Sequence, residues 1–223
     1  MADIGSEKKI KVVVLHGLYM HGVVMIPLCR RITQAGYEVL NLTYNTIKPD
    51  TEKMFEEIDQ FAQREPIILV GHSMGGVMSR QYLESRQDNS VQAVITLGTP
   101  HQGAKIAKYI HRIGLKDVVL RDSAKYLLPQ KVEWTHRARL YSLAGNFSLG
   151  VLPIILQSTE RPSDGIVLLE ETKMKGMWRH KTMRQTHESM LVSTEVADWV
   201  LAALDEEEGY MQRGCNEIIE MYQ

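Results

Sequence analysis

Cysteine, long apolar runs and net charge are all scarce in this chain of 223 residues, and each shortage excludes a class of protein. The two cysteines, Cys29 and Cys215, are too few for a disulfide framework and lack the spacing of a zinc or redox site. The apolar run at 12–15 is too short for a signal peptide or a membrane span. A net charge of −1 gives no general attraction to nucleic acid. We therefore expect a cytoplasmic protein with no transmembrane segment and no nucleic-acid partner.

The first half of the sequence contains a regular alternation of apolar strands and amphipathic helices. Apolar, β-branched runs predict strands at 11–15, 38–44, 67–70 and 91–97. Apolar residues at helical spacing predict helices around 24–35, 51–62 and 74–85. Strands that are apolar throughout, with helices between them, are typical of a parallel sheet covered on both faces. The length favours a single domain, 1–223.

The middle of the chain departs from this alternation. Two apolar stripes follow one another without a strand between them, which predicts a helical insertion over the sheet at 104–135. Residues 104–139 carry nine Lys or Arg and only three Asp or Glu, so positive charge is concentrated there. A fifth strand is predicted at 139–144 and a closing helix around Val196 and Val200, and the tail from Asp205 is expected to add a short peripheral helix.

The segment 71–75 reads GHSMG and matches the G-x-S-x-G pattern of a nucleophile elbow. A strand is predicted directly before it and a helix directly after it. A turn this sharp leaves room only for small residues two positions before and after Ser73. The Ser73 hydroxyl would then stand at a helix N-terminus, where backbone amides favour developing negative charge. The alternative is a glycine-rich turn that serves only the packing of the helix on the sheet.

With this motif the sequence resembles the α/β-hydrolase superfamily, and within it the lipases and esterases. Three further segments carry the resemblance: HGL at 16–18, TLGTPHQG at 96–103 and SDGIV at 163–167. It covers about residues 12–204 and implies an α/β fold with a mostly parallel central sheet, flanked by helices and capped by the helical insertion. The chain departs from the family pattern in lacking the usual leading strands and a secretion signal, which indicates a minimal core.

The resemblance implies the chain order nucleophile, acid, base. Ser73 is the expected nucleophile, Asp164 the acid and His187, just before the closing helix, the base. A serine hydroxyl is a weak nucleophile and needs a base, and the imidazole needs a partner that holds its tautomer. The alternatives are His180 for the base and Glu160 or Glu170 for the acid.

The resemblance also implies an oxyanion hole formed by the backbone amides of Leu18 and Met74. Met20 and Met78 are expected near the mouth of the site and are candidate substrate contacts, with ordinary core filling as the alternative. His16 is expected to brace its loop rather than to react. The sequence has no dinucleotide or phosphate-loop motif and no H-E-x-x-H or Cys/His cluster, so neither a cofactor nor a metal is expected.

These features together predict a serine hydrolase that cleaves small-molecule carboxylic esters through an acyl-enzyme on Ser73. A thioesterase, amidase or acyltransferase on the same fold, and a hydrolase-like scaffold that only binds, stay open as alternatives. The basic insertion suggests attraction to an anionic substrate or peripheral contact with a membrane, against a solvated face without a ligand. The sequence indicates neither an acyl chain length nor an oligomeric state.

Overall fold

A sheet of parallel strands organises the chain. The computed structural model describes residues 10–86, 90–149 and 162–221, with side chains described as far as residue 213. The strands are β1 (Lys11–Leu15), β2 (Val39–Leu42), β3 (Ile67–His72), β4 (Val91–Leu97), β5 (Arg139–Gly145) and β6 (Arg179–Met183). They stand in the order β2-β1-β3-β4-β5-β6, and every neighbouring pair runs parallel. The predicted α/β fold with a mostly parallel sheet is confirmed.

Helices cover both faces of this sheet. They are α1 (Ile26–Gln34), α2 (Thr51–Ala62), α3 (Met74–Ser85), α4 (Lys105–Arg112), α5 (Ala124–Leu127) and α6 (Thr194–Met221). Because side chains alternate along a strand, β1 sends Val13 and Leu15 into the core with α2 and α3, and Val12 and Val14 into the core with α1 and α6. In the described ranges, no helix has the length and hydropathy needed to cross a bilayer.

The strands differ from the prediction mainly at the far edge of the sheet. β1 and β4 match the predicted bounds, β2 is shorter, and β3 continues to His72. β6 was not predicted, because its sequence, RHKTM, is charged rather than apolar, and Met183 is its one buried residue. An edge strand pairs on one side only, and charged side chains are common there. The stretch around His180, the alternative candidate for the base, therefore belongs to the sheet.

The insertion contains shorter helical pieces than its two apolar stripes suggest. After α4, a π-helical turn (Lys116–Leu120) and a 3₁₀ turn (Arg121–Ser123) lead into the single turn of α5. Leu120 and Leu127 are buried in the core cluster of α2 and α3, whereas Ile113, at the end of the first stripe, is half exposed. The second stripe therefore faces the core. In the first stripe, Ile106 and Ile110 pack against the same core, and its end at Ile113 lies in solvent.

The closing helix is longer than expected, since α6 continues without a break through the acidic run after Asp205. Glu207 in that run is fully buried, and its carboxylate accepts two hydrogen bonds of 2.6 Å from Arg139 and one of 2.6 Å from the Tyr141 hydroxyl. Arg139 and Tyr141 lie at the start of β5. The predicted separate peripheral helix is therefore wrong, because one acidic side chain of the tail is bound inside the protein.

Candidate active site

Ser73 lies alone between β3 and α3, in a strained backbone conformation. β3 ends at His72, α3 begins at Met74, and Ser73 between them has φ 53° and ψ −121°. Positive φ is uncommon for a residue with a side chain, so neighbouring contacts have to hold it. The Ser73 amide donates to the Leu97 carbonyl at 2.8 Å, and the Thr99 hydroxyl donates to the Ser73 carbonyl at 2.9 Å. The next strand end thus holds the elbow on both sides.

The glycines of the elbow are required by close backbone contacts. A Cβ on Gly71 would lie 2.3 Å from the Gly76 amide nitrogen, and a Cβ on Gly75 would lie 2.2 Å from the Leu15 carbonyl oxygen. Neither distance is compatible with a side chain, so backbone would have to move. The small residues expected on either side of Ser73 are explained by the approach of the chain to itself and to the end of β1.

Asp164 and His187, which come from different loops, form a buried hydrogen-bonded pair. His187 Nδ1 lies 2.7 Å from Asp164 Oδ2, and the two residues are 4% and 1% exposed. The other carboxylate oxygen of Asp164 accepts from the amides of Ile166 (3.0 Å) and Val167 (2.8 Å). A carboxylate can only accept here, so His187 carries its proton on Nδ1. Its Nε2 lone pair is then available to take a proton.

Two contacts fix this pair against the elbow. His72, the residue before Ser73, donates from Nε2 to the His187 carbonyl oxygen at 2.9 Å, and the two imidazole rings are 4.6 Å apart. Gly98 lies under the pair, because a Cβ there would come within 2.9 Å of Asp164 Oδ2 and 3.1 Å of His187 Nδ1. The structure thus brings the three predicted residues Ser73, Asp164 and His187 to one edge of the sheet, at the carboxyl ends of β3, β5 and β6.

His72 is a part of the site that sequence reasoning missed. Its side chain is fully buried, and burial, followed by the nearby His187 imidazole, holds the pKa of His72 well below its ordinary value. His72 is therefore neutral, with its proton on Nε2, and its Nδ1 has no hydrogen-bond partner among the described residues. Its position as the variable residue of the elbow motif is visible in the sequence, but its contact with a loop 115 positions away is not.

The HGL loop after β1 lies against the other side of Ser73. A Cβ on Gly17 would lie 3.0 Å from Ser73 Cβ and 3.3 Å from Met20 Sδ, so both side chains border the loop. The amides of Leu18 and Met74 donate no hydrogen bond within the described residues. Buried or partly buried amides are normally hydrogen-bonded. The amides of Leu18 and Met74 are not, and they are therefore able to donate hydrogen bonds to an oxygen atom bound at Ser73.

His16 braces the HGL loop from beneath. Its Nε2 accepts from the Tyr44 amide at 3.3 Å, which leaves the proton on Nδ1 to donate to the Gly17 carbonyl at 3.1 Å. The Tyr44 hydroxyl donates to the His16 carbonyl at 2.8 Å, and the two rings stack 4.5 Å apart. Burial lowers the pKa of His16, so its charged form is disfavoured. Both ring nitrogens are occupied, as a structural role requires.

His101, in the GTPHQG segment, is likewise structural. Its Nε2 lies 3.1 Å from the Thr96 hydroxyl, which itself donates to the Tyr141 carbonyl at 3.2 Å, so the imidazole is the donor to Thr96. Burial, with the Arg80 guanidinium and then His180 nearby, lowers the pKa of His101 to about 3. A neutral imidazole thus donates to the hydroxyl of Thr96, which in turn ties β4 to β5.

The remaining candidate residues differ in where they lie. Met78 is fully buried in the core cluster of α3, whereas Met20 is half-buried beside the HGL loop. Glu170 forms an ion pair with Lys105 at 2.8 Å, and Glu160 lies outside the described residues. Among the described residues, no group of three or more His, Cys, Asp or Glu side chains is arranged to hold a metal ion.

Comparison with known proteins agrees with this architecture. The family model described as the PGAP1-like alpha/beta domain matches residues 33–197. A GPI inositol-deacylase of Coccidioides immitis is 30% identical over 83 residues, which are 36% of this chain and 7% of that protein. The chain thus spans only a small part of that relative's length.

Solved structures share the fold at low sequence identity. A Bacillus licheniformis lipase in propeptide form superposes with a TM-score of 0.68 at 22% identity, over 89% of this chain and 51% of the lipase. A pyrethroid hydrolase of Sphingobium faniae gives a TM-score of 0.61 at 13% identity, over 88% of this chain and 97% of that enzyme. With the family match covering well over half of its length, the chain belongs to the PGAP1-like alpha/beta domain family and is a hydrolase of the α/β-hydrolase type.

Proposed function

We propose that the protein is a serine hydrolase that cleaves carboxylic esters through an acyl-enzyme on Ser73. The observation that carries the proposal is the 2.7 Å hydrogen bond between His187 Nδ1 and Asp164 Oδ2, buried beside a strained serine. This bond fixes the tautomer whose Nε2 can accept a proton, and a serine hydroxyl needs such a base.

In the first half of the reaction, His187 takes the hydroxyl proton of Ser73 while the serine oxygen attacks the ester carbonyl. The resulting imidazolium is stabilised by the Asp164 carboxylate, which is held in place by the amides of Ile166 and Val167. His187 then gives its proton to the departing alcohol. The acyl group remains on Ser73.

In the second half, water attacks the acyl-enzyme and His187 again accepts and returns a proton. The acid leaves and the Ser73 hydroxyl is restored. Every proton moves between His187 and an oxygen atom, so the reaction needs no external acid or base.

The unpaired amides of Leu18 and Met74 are proposed to bind the oxyanion that forms in both halves. Removal of one such donor costs about 10²–10³ in rate in other enzymes. Both donors belong to the backbone, so they are present whatever side chain occupies the position. Met20, beside the same loop, is proposed to contact the acyl part of the substrate.

The fungal relative is named GPI inositol-deacylase, which denotes removal of an acyl group, and this supports acyl transfer to water as the reaction class. His187 can protonate a departing alcohol or a departing amine, so the choice of esters over amides is tested with matched substrates.

A fluorophosphonate probe, followed by a panel of matched substrates, tests the proposal. We expect the probe to label the folded protein at Ser73 and not to label Ser73→Ala. p-Nitrophenyl esters from acetyl to palmitoyl should be hydrolysed faster than acyl thioesters or anilides of the same chain length.

Absence of labelling in folded wild-type protein would favour a binding scaffold without catalysis. Faster turnover of the thioester than of the matched ester would replace the esterase assignment with a thioesterase. Peptide mapping that finds the probe at another serine would contradict the assignment of the nucleophile.

A further inference from the structure

The turn after α4 carries three large apolar side chains in solvent. Ile113, Leu115 and Val118, which we call the tip, are 46%, 44% and 72% exposed. Between them, Gly114 has φ 79°, and nothing lies within 4 Å of the position that its Cβ would occupy. The tip therefore projects from the body of the protein. Neighbouring exposed apolar side chains on a soluble surface commonly mark a contact with another phase or partner.

The backbone of the tip satisfies its own hydrogen bonds. The amides of Ile113, Gly114, Leu115 and Val118 each donate to a carbonyl within residues 109–115, at 3.1–3.2 Å. An amide that leaves water without a partner carries a large free-energy penalty in an apolar medium. These four amides carry no such penalty. The tip can therefore enter a lipid headgroup region without unfolding.

Positive charge surrounds the tip. Lys108, Arg112 and Arg121 are exposed, and none of them forms an ion pair within the described part of the chain. Lys116 is 3.3 Å from Asp117, so these two charges largely offset each other. Lys108 and Arg112 also line a groove of 580 Å³ beside α4. Apolar residues flanked along the chain by unpaired basic groups are complementary to a surface that is apolar inside and negative outside.

We infer that the tip docks this protein on an anionic lipid bilayer. Ile113, Leu115 and Val118 then lie in the headgroup region. The side chains of Lys108, Arg112 and Arg121 lie against lipid phosphates. Amphipathic segments of this composition bind membrane interfaces through buried apolar area together with attraction to anionic lipids. Each basic side chain near such a surface contributes about fivefold in affinity. Salt screens the attraction, so the docking is salt-sensitive.

The tip is connected to the candidate active site. The hydroxyl of Tyr19 donates to the carbonyl of Val119, the residue after Val118, and Tyr19 follows Leu18 in the HGL loop. Docking would therefore bring the HGL loop close to the lipid surface. The inference goes beyond the proposed function and is independent of it, because binding to vesicles requires no turnover.

Vesicle flotation with the full-length Ser73→Ala variant tests the inference without lipid hydrolysis. We expect the protein to float with vesicles of phosphatidylcholine and phosphatidylserine, and to stay behind with pure phosphatidylcholine. Raising the salt concentration from low to well above physiological should release it. Equal flotation with both vesicles, or none with either, would overturn the proposal.

Substitutions locate the binding surface. Leu115→Asp with Val118→Asp should weaken binding at least tenfold, whereas Val192→Asp should not change it. Val192 is a matched control, since it is 67% exposed and follows Leu191, which packs on the opposite face of the sheet. Thermal unfolding confirms that each variant is folded. Binding unchanged in the double variant would contradict the tip as the docking element.

Charge reversal gives the second arm. Lys108→Glu with Arg112→Glu should weaken binding to phosphatidylserine vesicles by more than tenfold. The control is Lys175→Glu, whose side chain is 79% exposed and paired to Glu133, and it should have little effect.

Sedimentation of the protein without lipid tests whether the tip instead contacts a second copy of the chain. A dimer that is lost in the tip variant would show that the tip covers a protein surface and would overturn membrane docking.

Discussion

The elbow and the insertion differ in how closely their surroundings fix the backbone. At the elbow, a Cβ on Gly75 would meet the Leu15 carbonyl oxygen at 2.2 Å, and Ser73 keeps a strained conformation because its hydrogen bonds with Leu97 and Thr99 hold it. At the tip, a Cβ on Gly114 would meet nothing within 4 Å. Backbone strain therefore persists where the surrounding packing leaves the chain no alternative conformation. Chemistry that depends on sub-ångström placement belongs in the first region, and adaptable surface contact in the second.

The strongest test of the elbow is removal of the proposed nucleophile. Ser73→Ala deletes one oxygen atom and should reduce ester hydrolysis by at least about 10³-fold. Stability should be unchanged or slightly higher, because the hydroxyl makes no hydrogen bond among the described residues. The measurement is kcat/KM with a short-chain p-nitrophenyl ester, together with thermal unfolding. Turnover close to wild type would contradict the role of Ser73.

Substitution of glycine by alanine at Gly98, in the site, and at Gly114, in the tip, compares the two regions directly. Gly98→Ala places a methyl group 2.9 Å from Asp164 Oδ2 and 3.1 Å from His187 Nδ1. Both side chains must therefore shift away from residue 98. We expect kcat to fall by about 10²-fold, since displacements of 1 Å in a catalytic group have effects of this size.

Gly114→Ala is the matched control for Gly98→Ala. Both glycines have positive φ (57° and 79°), so both substitutions carry a similar backbone cost of about 1 kcal/mol. Only Gly98→Ala adds a clash with the pair. Equal losses of activity in the two variants would show that backbone strain alone, and not the contact with Asp164 and His187, explains the effect.

His72→Phe tests whether the hydrogen bond to the His187 carbonyl positions the base. Phenylalanine keeps a ring in the buried space and removes the Nε2 donor, so kcat should fall by about tenfold while KM stays the same, an effect equivalent to one hydrogen bond. Labelling by fluorophosphonate should slow by a similar factor. His101→Gln, at a buried histidine that does not contact the pair, should affect stability and leave kcat within twofold.

The buried histidines also predict how stability depends on pH. In the folded state the pKa values of His16, His72 and His101 lie below the ordinary 6.5, that of His101 at about 3. Below pH 6.5 the unfolded chain therefore binds more protons than the folded one, and the free energy of unfolding falls as the pH falls. Each histidine that stays neutral contributes about 1.4 kcal/mol per pH unit.

Urea unfolding between pH 7 and pH 4.5 measures this slope. His101→Gln should remove one histidine's share of it, because glutamine binds no proton in either state. A slope in His101→Gln equal to that of the wild type would contradict a neutral, buried His101.

The sequence predicted what depends on local pattern. Apolar runs gave the strands on which the site is built, and α3 was predicted with its observed bounds, because the hydrophobic period and the glycine punctuation agree there. The positions of Ser73, Asp164 and His187 in the chain order of a known superfamily pointed to the residues that the structure brings to one edge. Their roles in catalysis stay a prediction.

What could not be predicted depends on contacts between distant parts of the chain. β6 has no apolar pattern, because an edge strand is stabilised by pairing with β5 rather than by burial. The link from His72 to the His187 carbonyl joins two segments that share no local signal. Likewise, nothing in the acidic run after Asp205 indicates that Glu207 alone turns inward to Arg139.

Glu207 has a consequence for the far end of the molecule. α6 starts at Thr194, shortly after the loop that carries His187. Further along the same helix, the Glu207 carboxylate is hydrogen-bonded to Arg139 and Tyr141 at the start of β5. At 1.5 Å per residue, the helical segment between these two points is about 20 Å long. Fraying that began at Met221 would therefore stop at the hydrogen bonds of Glu207 and leave His187 in place.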